Sequence, residues 1–293
     1  MAIYDCFMFY NELDILELRM NILADYVDFF VIAESNRTHA GKPKPYHLAD
    51  NMDRFGRFKD KIRYIQLDNN HDFHKAEANS WYLENEQRLS LIQGLSDAKE
   101  SDTIILSDLD EIPNPTVIQK FNPKNSYGIC AHSHFIYYLN NIQVAPKRKQ
   151  PNPLKQLWYQ IKGYTPAPNT TEPYWLGSCL FKKEFLNRYN LQEIRDISRS
   201  KRIKGAYIMD GGWHFSFMGD ISFIKQKLID YAHQEHNTAD ITNEENIAQK
   251  VALGLSLFDD AKFELLPLSS NRLPAYVRDN ADKFPKLIGK PKG

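Results

Sequence analysis

Apolar runs and amphipathic stretches alternate along the first third of the chain. IYDCFMF (3–9), VDFFVIAE (27–34), KIRYIQL (61–67) and TIILS (103–107) are short and nearly continuously apolar, the pattern of strands buried on both faces. Between the first two, ELDILELRMNILADY (12–26) sets Leu13, Leu16, Met20 and Leu23 on one face of a helix. Ahead of the fourth run, ANSWYLENEQRLSLIQGLSDA (78–98) puts Trp81, Glu84, Arg88, Leu91, Ile92 and Leu95 at helical spacing. This alternation predicts an α/β fold with a mostly parallel sheet covered by helices on both faces.

Beyond about residue 125 the rhythm changes. YGICAHSHFIYYLNNI (127–142) and YWLGSCLFKKEFL (174–186) read as strands with no long helix between them. Residues 146–173, rich in Pro, Lys, Asn and Gln, read as a long loop, and helical patterning returns in DISFIKQKLIDYAHQE (220–235). One domain spanning 1–293, with an elaborated second half, is the expectation.

Composition narrows the function classes. Lys+Arg and Asp+Glu both number 37, which argues against a protein that binds nucleic acid through bulk charge. No apolar run is long enough for a membrane span, and the N-terminus MAIYDCFMFYNELD has neither a basic n-region nor a cleavage site. Cys6, Cys130 and Cys179 are odd in number and far apart, as expected of free buried thiols. A cytoplasmic location is therefore expected.

The chemistry concentrates in DTIILSDLDEIPNP (102–115). Ligands of open α/β sheets bind at the carboxyl ends of strands, and there Asp108 and Asp110 leave a buried run together. Two carboxylates converging on a small volume repel, and a hard divalent cation such as Mg²⁺ or Mn²⁺ relieves the repulsion. The plain alternative is an acidic cap on the helix that starts near Pro115. Asp-x-Asp after a buried strand occurs in phosphohydrolases with an aspartate nucleophile and in nucleotide-sugar transferases of GT-A fold. Here Ile112 stands where the former usually carry Thr or Val, and the motif follows three strands rather than ending the first. The order of elements favours the transferase.

Four stretches, NELDILELR (11–19), VDFFVIAESNRTHAGKPKP (27–45), DTIILSDLDEIP (102–113) and GGWHFSFMG (211–219), together resemble glycosyltransferase family 17. The resemblance implies a GT-A-like, Rossmann-type, mostly parallel mixed sheet flanked by helices. Residues 1–125 would form the nucleotide-sugar-binding half, and 126–293 the acceptor-side half with C-terminal helices. It further implies an inverting, metal-dependent transfer of a sugar, GlcNAc on family grounds, from a UDP donor to a glycan acceptor with formation of a β-linkage. An Asp-nucleophile phosphohydrolase and a catalytically silent nucleotide- or sugar-binding protein are the alternatives.

Roles follow for the matching residues. Asp110 would hold Mn²⁺ or Mg²⁺ directly, and Asp108 would reach the ion through water or hold the ribose. His214 would be a third ligand, against the plain reading of a core histidine. Glu34 would accept from uracil N3–H or a ribose hydroxyl, unless it merely pairs with Arg37 or Lys42. Asn11 and Glu12 would face the same crevice, unless Glu12 merely starts the helix. Arg88 would reach the donor phosphates or simply pair with Glu84, and Lys42 and Lys44 would lie near phosphate or be solvated. Tyr137, Tyr138, Trp158, Tyr159 and Trp175 would stack on acceptor sugars or pack. The general base would be Glu111 first, Asp210 second and Glu34 third.

Overall fold

The computed structural model describes residues 1–69, 80–121, 127–145, 152–161, 170, 172–200 and 206–290. The four apolar runs become β1 (Ile3–Phe9), β2 (Phe29–Ser35), β3 (Ile62–Leu67) and β4 (Thr103–Asp108). They pair in parallel in the spatial order β3-β2-β1-β4. Because successive side chains alternate, Phe7, Phe9, Phe30, Ile32 and Ile105 share one core with Leu16 and Met20 of the helix Leu13–Leu23. Tyr4, Cys6, Val31, Ile104 and Leu106 share the other with Leu91 and Leu95. Both faces are buried, which is why these strands read as unbroken apolar runs.

Beyond β4 the sheet continues antiparallel. β5 (Glu111–Pro113) is a short strand after the acidic turn, and β6 (Tyr127–Ile136) and β7 (Asn141–Ala145) follow. β8 (Trp175–Lys182) inserts between β4 and β6. β9 (Ala206–Ser216) runs parallel to β6 and antiparallel to β5, and β10 (Lys262–Leu265) closes the β7 edge. Among the described residues the result is a mixed ten-stranded sheet flanked by helices, the expected architecture. No helix among the described residues is long and apolar enough to cross a membrane, and the three cysteines are free and buried.

Two local expectations need correction. The run 127–142 is two strands, because the chain turns at Tyr137, whose φ is 66°, and Asn141 Nδ2 donates to the Ile136 carbonyl at 3.0 Å. The segment 146–173 is not loop throughout, since Pro153–Ile161 is a helix. The Gly211-Gly212 pair serves strand packing. Asp210 has φ 52° and Gly212 φ 143°, and a Cβ on Gly212 would stand 2.1 Å from the Ile112 carbonyl oxygen. Glycine there lets β9 press against β5, so that Trp213 pairs with Ile112 and His214 with Glu111. That register carries His214 to the acidic strand end.

Candidate active site

A cavity of about 900 Å³ opens at the carboxyl ends of β1, β2 and β4, where the crossover geometry of parallel strands leaves a crevice. Arg19 holds the acidic turn on its wall from behind. Fully buried, it forks onto Asp5 at 2.6 and 2.8 Å and donates to Ser107 Oγ at 2.6 Å. Its remaining nitrogen donates to the carbonyls of Asp108, Leu109 and Glu111 at 3.0, 3.0 and 3.1 Å. One guanidinium thus fixes three carbonyls of the Asp-Leu-Asp-Glu turn and decides where its carboxylates point.

Those carboxylates part company. Asp108 is held by two arginines, Oδ1 by Arg88 at 3.2 Å and Oδ2 by Arg195 at 2.7 Å. Asp110 faces Lys227, 3.1 Å from Oδ2, and His214, whose Nδ1 is 3.6 Å from Oδ1. Burial pushes the Asp110 carboxyl up to about 6, with Asp108, Glu111 and Glu12 adding to the shift and Lys227 opposing it. Lys227 also reaches Glu12 at 3.0 Å. Burial alone would raise Glu12, but the Lys227 ammonium together with the Asn11 and Glu12 N–H groups keeps that carboxyl below its ordinary value. The two carboxylates in turn hold Lys227 above its ordinary value despite its burial.

His214 is stacked on Trp175, with ring centroids 4.5 Å apart and planes 12° apart, and lies 4.9 Å from the His134 ring. Burial drives its pKa down to about 4, so the imidazole is neutral at pH 7. Its Nδ1 is buried without a hydrogen-bond partner among the described residues. A buried, neutral, unpartnered nitrogen beside a carboxylate whose charge is disfavoured is the donor set that a borderline divalent ion such as Mn²⁺ suits. The residues present therefore fit a metal held by Asp110 and His214, while both oxygens of Asp108 are turned to arginines.

Several expected site residues belong to the scaffold instead. Glu34 is completely buried and accepts four hydrogen bonds: Lys44 Nζ at 2.8 Å, the His47 and Leu48 N–H groups at 2.6 and 3.0 Å, and Tyr64 Oη at 2.7 Å. Its cation is Lys44, not Arg37 or Lys42, and no lone pair is left for a nucleoside. Glu34→Gln is accordingly expected to lower stability by about 1–3 kcal/mol in urea unfolding, and to leave nucleotide affinity of the folded protein unchanged in calorimetry. Glu111 is equally committed, to Arg195 at 2.6 Å, Trp175 Nε1 at 2.7 Å and the Asp108 N–H at 3.1 Å. Burial would raise its pKa, but Arg195 outweighs burial and lowers it. A buried carboxylate with both oxygens occupied is not a general base.

Asp210, the second candidate base, is exposed on the β9 bulge, away from the cavity wall. Arg88 is spent on Glu84 at 2.6 Å, on Gln192 and on Asp108, so it orients the first aspartate and is not left for phosphate. Asn11 is half-buried with an unpartnered Oδ1, and its N–H donates to Glu12 at 3.2 Å. Lys42 pairs with Asp230 at 3.1 Å. Of the aromatics, Trp175 lines the cavity, Tyr137 is core, Trp158 is exposed, and the Tyr159 side chain falls outside the described residues.

Three functional residues escaped sequence reasoning: Arg19, Arg195 and Lys227. Each is a helical cation flanked in sequence by a buried aliphatic residue, Leu18, Ile194 and Leu228 respectively; Arg19 and Arg195 are buried and Lys227 is half-buried. A charge set among apolar helix positions was the available signal, since such a group must find partners inside.

Known proteins bear on this geometry. The chain is 32% identical over 109 residues to the beta-1,4-mannosyl-glycoprotein 4-beta-N-acetylglucosaminyltransferase of Homo sapiens, covering 35% of this chain and 20% of that protein. The Rattus norvegicus protein of the same name matches at the same identity and coverage. The chain thus spans about a fifth of the length of these curated relatives. Among solved structures, a Mycobacterium tuberculosis glucosyl-3-phosphoglycerate synthase with Mn²⁺, UDP and phosphoglyceric acid is similar at a TM-score of 0.35 and 12% identity, covering 94% of this chain and 90% of that one. That likeness is too slight to decide anything. The sequence profile that matches is that of glycosyltransferase family 17, over residues 1–165, more than half of the chain. The chain belongs to glycosyltransferase family 17.

Proposed function

We propose that the protein is a metal-dependent glycosyltransferase that moves a sugar, GlcNAc by its family relationship, from a UDP donor to a carbohydrate acceptor with inversion. The observation that carries this reading is the pairing of Asp110 Oδ1 with the unpartnered Nδ1 of His214, 3.6 Å apart on the wall of a 900 Å³ cavity. Asp110 and His214 would hold the ion, which when bound supplies positive charge to a departing diphosphate. Lys227, clamped between Glu12 and Asp110, adds a second fixed positive charge at the same place. Asp108, pinned by Arg88 and Arg195, serves this arrangement better than it serves nucleophilic attack on phosphorus, because each of its oxygens already accepts from an arginine. Calorimetry of UDP with Mn²⁺ and with EDTA tests the reading. Equal affinity in the two conditions would defeat it.

Inversion in one displacement requires a carboxylate that takes the acceptor hydroxyl proton. Apart from Asp108 and Asp110, the carboxylates on the cavity wall among the described residues are Glu12, Glu84, Asp230 and Asp259. Glu12 is bound by Lys227 and Glu84 by Arg88, and Asp230 accepts from Tyr10 Oη at 2.5 Å and Lys42 at 3.1 Å. Asp259 is exposed to the cavity and, among the described residues, holds only the Ala261 N–H, at 3.1 Å, through Oδ1. In this reading it replaces Glu111 and Asp210 as the base. Asp259→Asn is expected to lower kcat by about 10²-fold and leave UDP–Mn²⁺ binding near normal. Unchanged turnover would remove Asp259 from the mechanism.

A further inference from the structure

With Glu34 consumed by the scaffold, the nucleobase needs another reader, and the geometry points to His39. Beyond the end of β2 the chain forms a tight loop. Thr38 N–H donates to the Lys42 carbonyl at 2.8 Å, and Gly41 N–H to the Thr38 carbonyl at 2.9 Å. Arg37 donates to the Gly41 carbonyl at 3.0 Å, and Ala40 N–H to the Asp230 carbonyl at 3.1 Å. Gly41 turns the loop with φ 86°. His39 is held in this loop, lines the cavity and is half-buried.

The protonation of its ring follows from a chain of hydrogen bonds that begins in the sheet. Gln87 is 3% exposed, and its Nε2 lies 3.1 Å from the Phe9 carbonyl and 2.8 Å from the Ala33 carbonyl, at the ends of β1 and β2. A carbonyl can only accept, so the amide nitrogen must face these two, and the reverse orientation would set oxygen against two oxygens. The Gln87 Oε1 is thereby aimed at His39 Nε2, 3.0 Å away. That oxygen also can only accept, so Nε2 carries the proton. In the neutral imidazole Nδ1 is then a lone-pair acceptor. Nothing among the described residues donates to it.

We propose that His39 Nδ1 reads the nucleobase of the donor by accepting a ring imino N–H, and that Gln87 is the positioning residue that fixes its tautomer. The proposal rests on the reading of the cavity as a UDP-sugar site. Uracil presents a donor at N3. Cytosine presents a lone pair there, which would face the lone pair of Nδ1 with no proton between them. The selection is thus for uracil over cytosine, and it is set by two backbone carbonyls of the sheet rather than by a charge.

The test is calorimetry with Mn²⁺ of UDP, CDP and the diphosphate of 3-methyluridine, in which the N3 proton is replaced by methyl. It is paired with ¹⁵N NMR of the His39 ring in the free protein. Wild type is expected to bind UDP at least about tenfold more tightly than the other two, the size of one lost hydrogen bond. His39→Ala is expected to bind all three alike. The free wild-type ring is expected as the Nε2–H tautomer, and Gln87→Leu to shift it toward a mixture. If His39→Ala still separates UDP from CDP and 3-methyl-UDP as wild type does, the role of His39 is overturned and the UDP reading stands. If wild type binds no uridine diphosphate, both fall. A wild-type ring protonated on Nδ1 overturns the proposal whatever the nucleotide data show.

Discussion

Asp110→Asn is expected to abolish the difference in UDP affinity between Mn²⁺ and EDTA, and to cut sugar transfer by at least about a thousandfold. Asparagine keeps the shape but offers the ion a neutral oxygen, so the site loses its one anionic ligand beside His214. The same change has an opposite effect on stability. Burial first, then Asp108, Glu111 and Glu12, raise the Asp110 carboxyl from 3.8 to about 6, against the pull of Lys227. A raised carboxyl means that the charged form is disfavoured in the fold. Its destabilising effect is absent below about pH 3.8, grows as pH rises, and is complete above about 6. Without metal at pH 7.5, Asp110→Asn should therefore raise the melting temperature. The gain is at most ~3 kcal/mol, a net figure that already contains the lost attraction of Lys227. At pH 4.5 the gain should shrink, and metal-dependent UDP binding by wild type should weaken as pH falls through about 6. A variant that kept full metal dependence would displace Asp110 from the site.

The pattern of stability against function explains what was legible in the sequence. Both faces of β1, β2 and β4 are core, so their strands announced themselves as unbroken apolar runs. The acids that break the last run, Asp108 and Asp110, were legible because nothing in a buried strand's continuation calls for two carboxylates. Position in the fold was also recoverable, since parallel strands leave their crevice at the carboxyl end. Partners were not. Glu34 and Glu111 resemble site residues in sequence because each adjoins a strand end, and only three dimensions bring Lys44, Tyr64 and two N–H groups to the one, and Arg195 and Trp175 to the other. Asp210, the second candidate base, adjoins Gly211 and Gly212, which serve the bulge that seats β9 on β5. His214 was legible as a candidate from its neighbours, but its link to Asp110 depends on that register. The residues that were missed, Arg19, Arg195 and Lys227, are organisers whose contacts to the acidic turn span about 90, 85 and 115 positions.

Arg195→Met is expected to cost about 3–5 kcal/mol of stability in urea unfolding at pH 7.5. Arg195 is fully buried and bridges Asp108 at 2.7 Å and Glu111 at 2.6 Å, while a further nitrogen donates to the Gly177 carbonyl at 3.0 Å. Methionine fills much of the volume, so the loss measures uncompensated charge rather than an empty cavity. Glu111 would keep Trp175 and the Asp108 N–H but lose its cation, at zero exposure. The sign of the pH dependence follows from the lowered Glu111 carboxyl, where burial is outweighed by Arg195. A depressed carboxyl contributes stability that is present above the unfolded value of 4.5 and lost as pH falls through the folded one. Arg195→Met removes that contribution, so its deficit should be largest at neutral pH and narrow in acid. Adding Glu111→Gln should recover part of the loss, because it removes the stranded charge, and the two changes should be non-additive by more than about 1 kcal/mol. UDP affinity with Mn²⁺ should also fall, because Asp108 then has one arginine where it had two. A single variant within about 1 kcal/mol of wild type at neutral pH would show that the Asp108–Arg195–Glu111 bridge does not hold the acidic strand end in place.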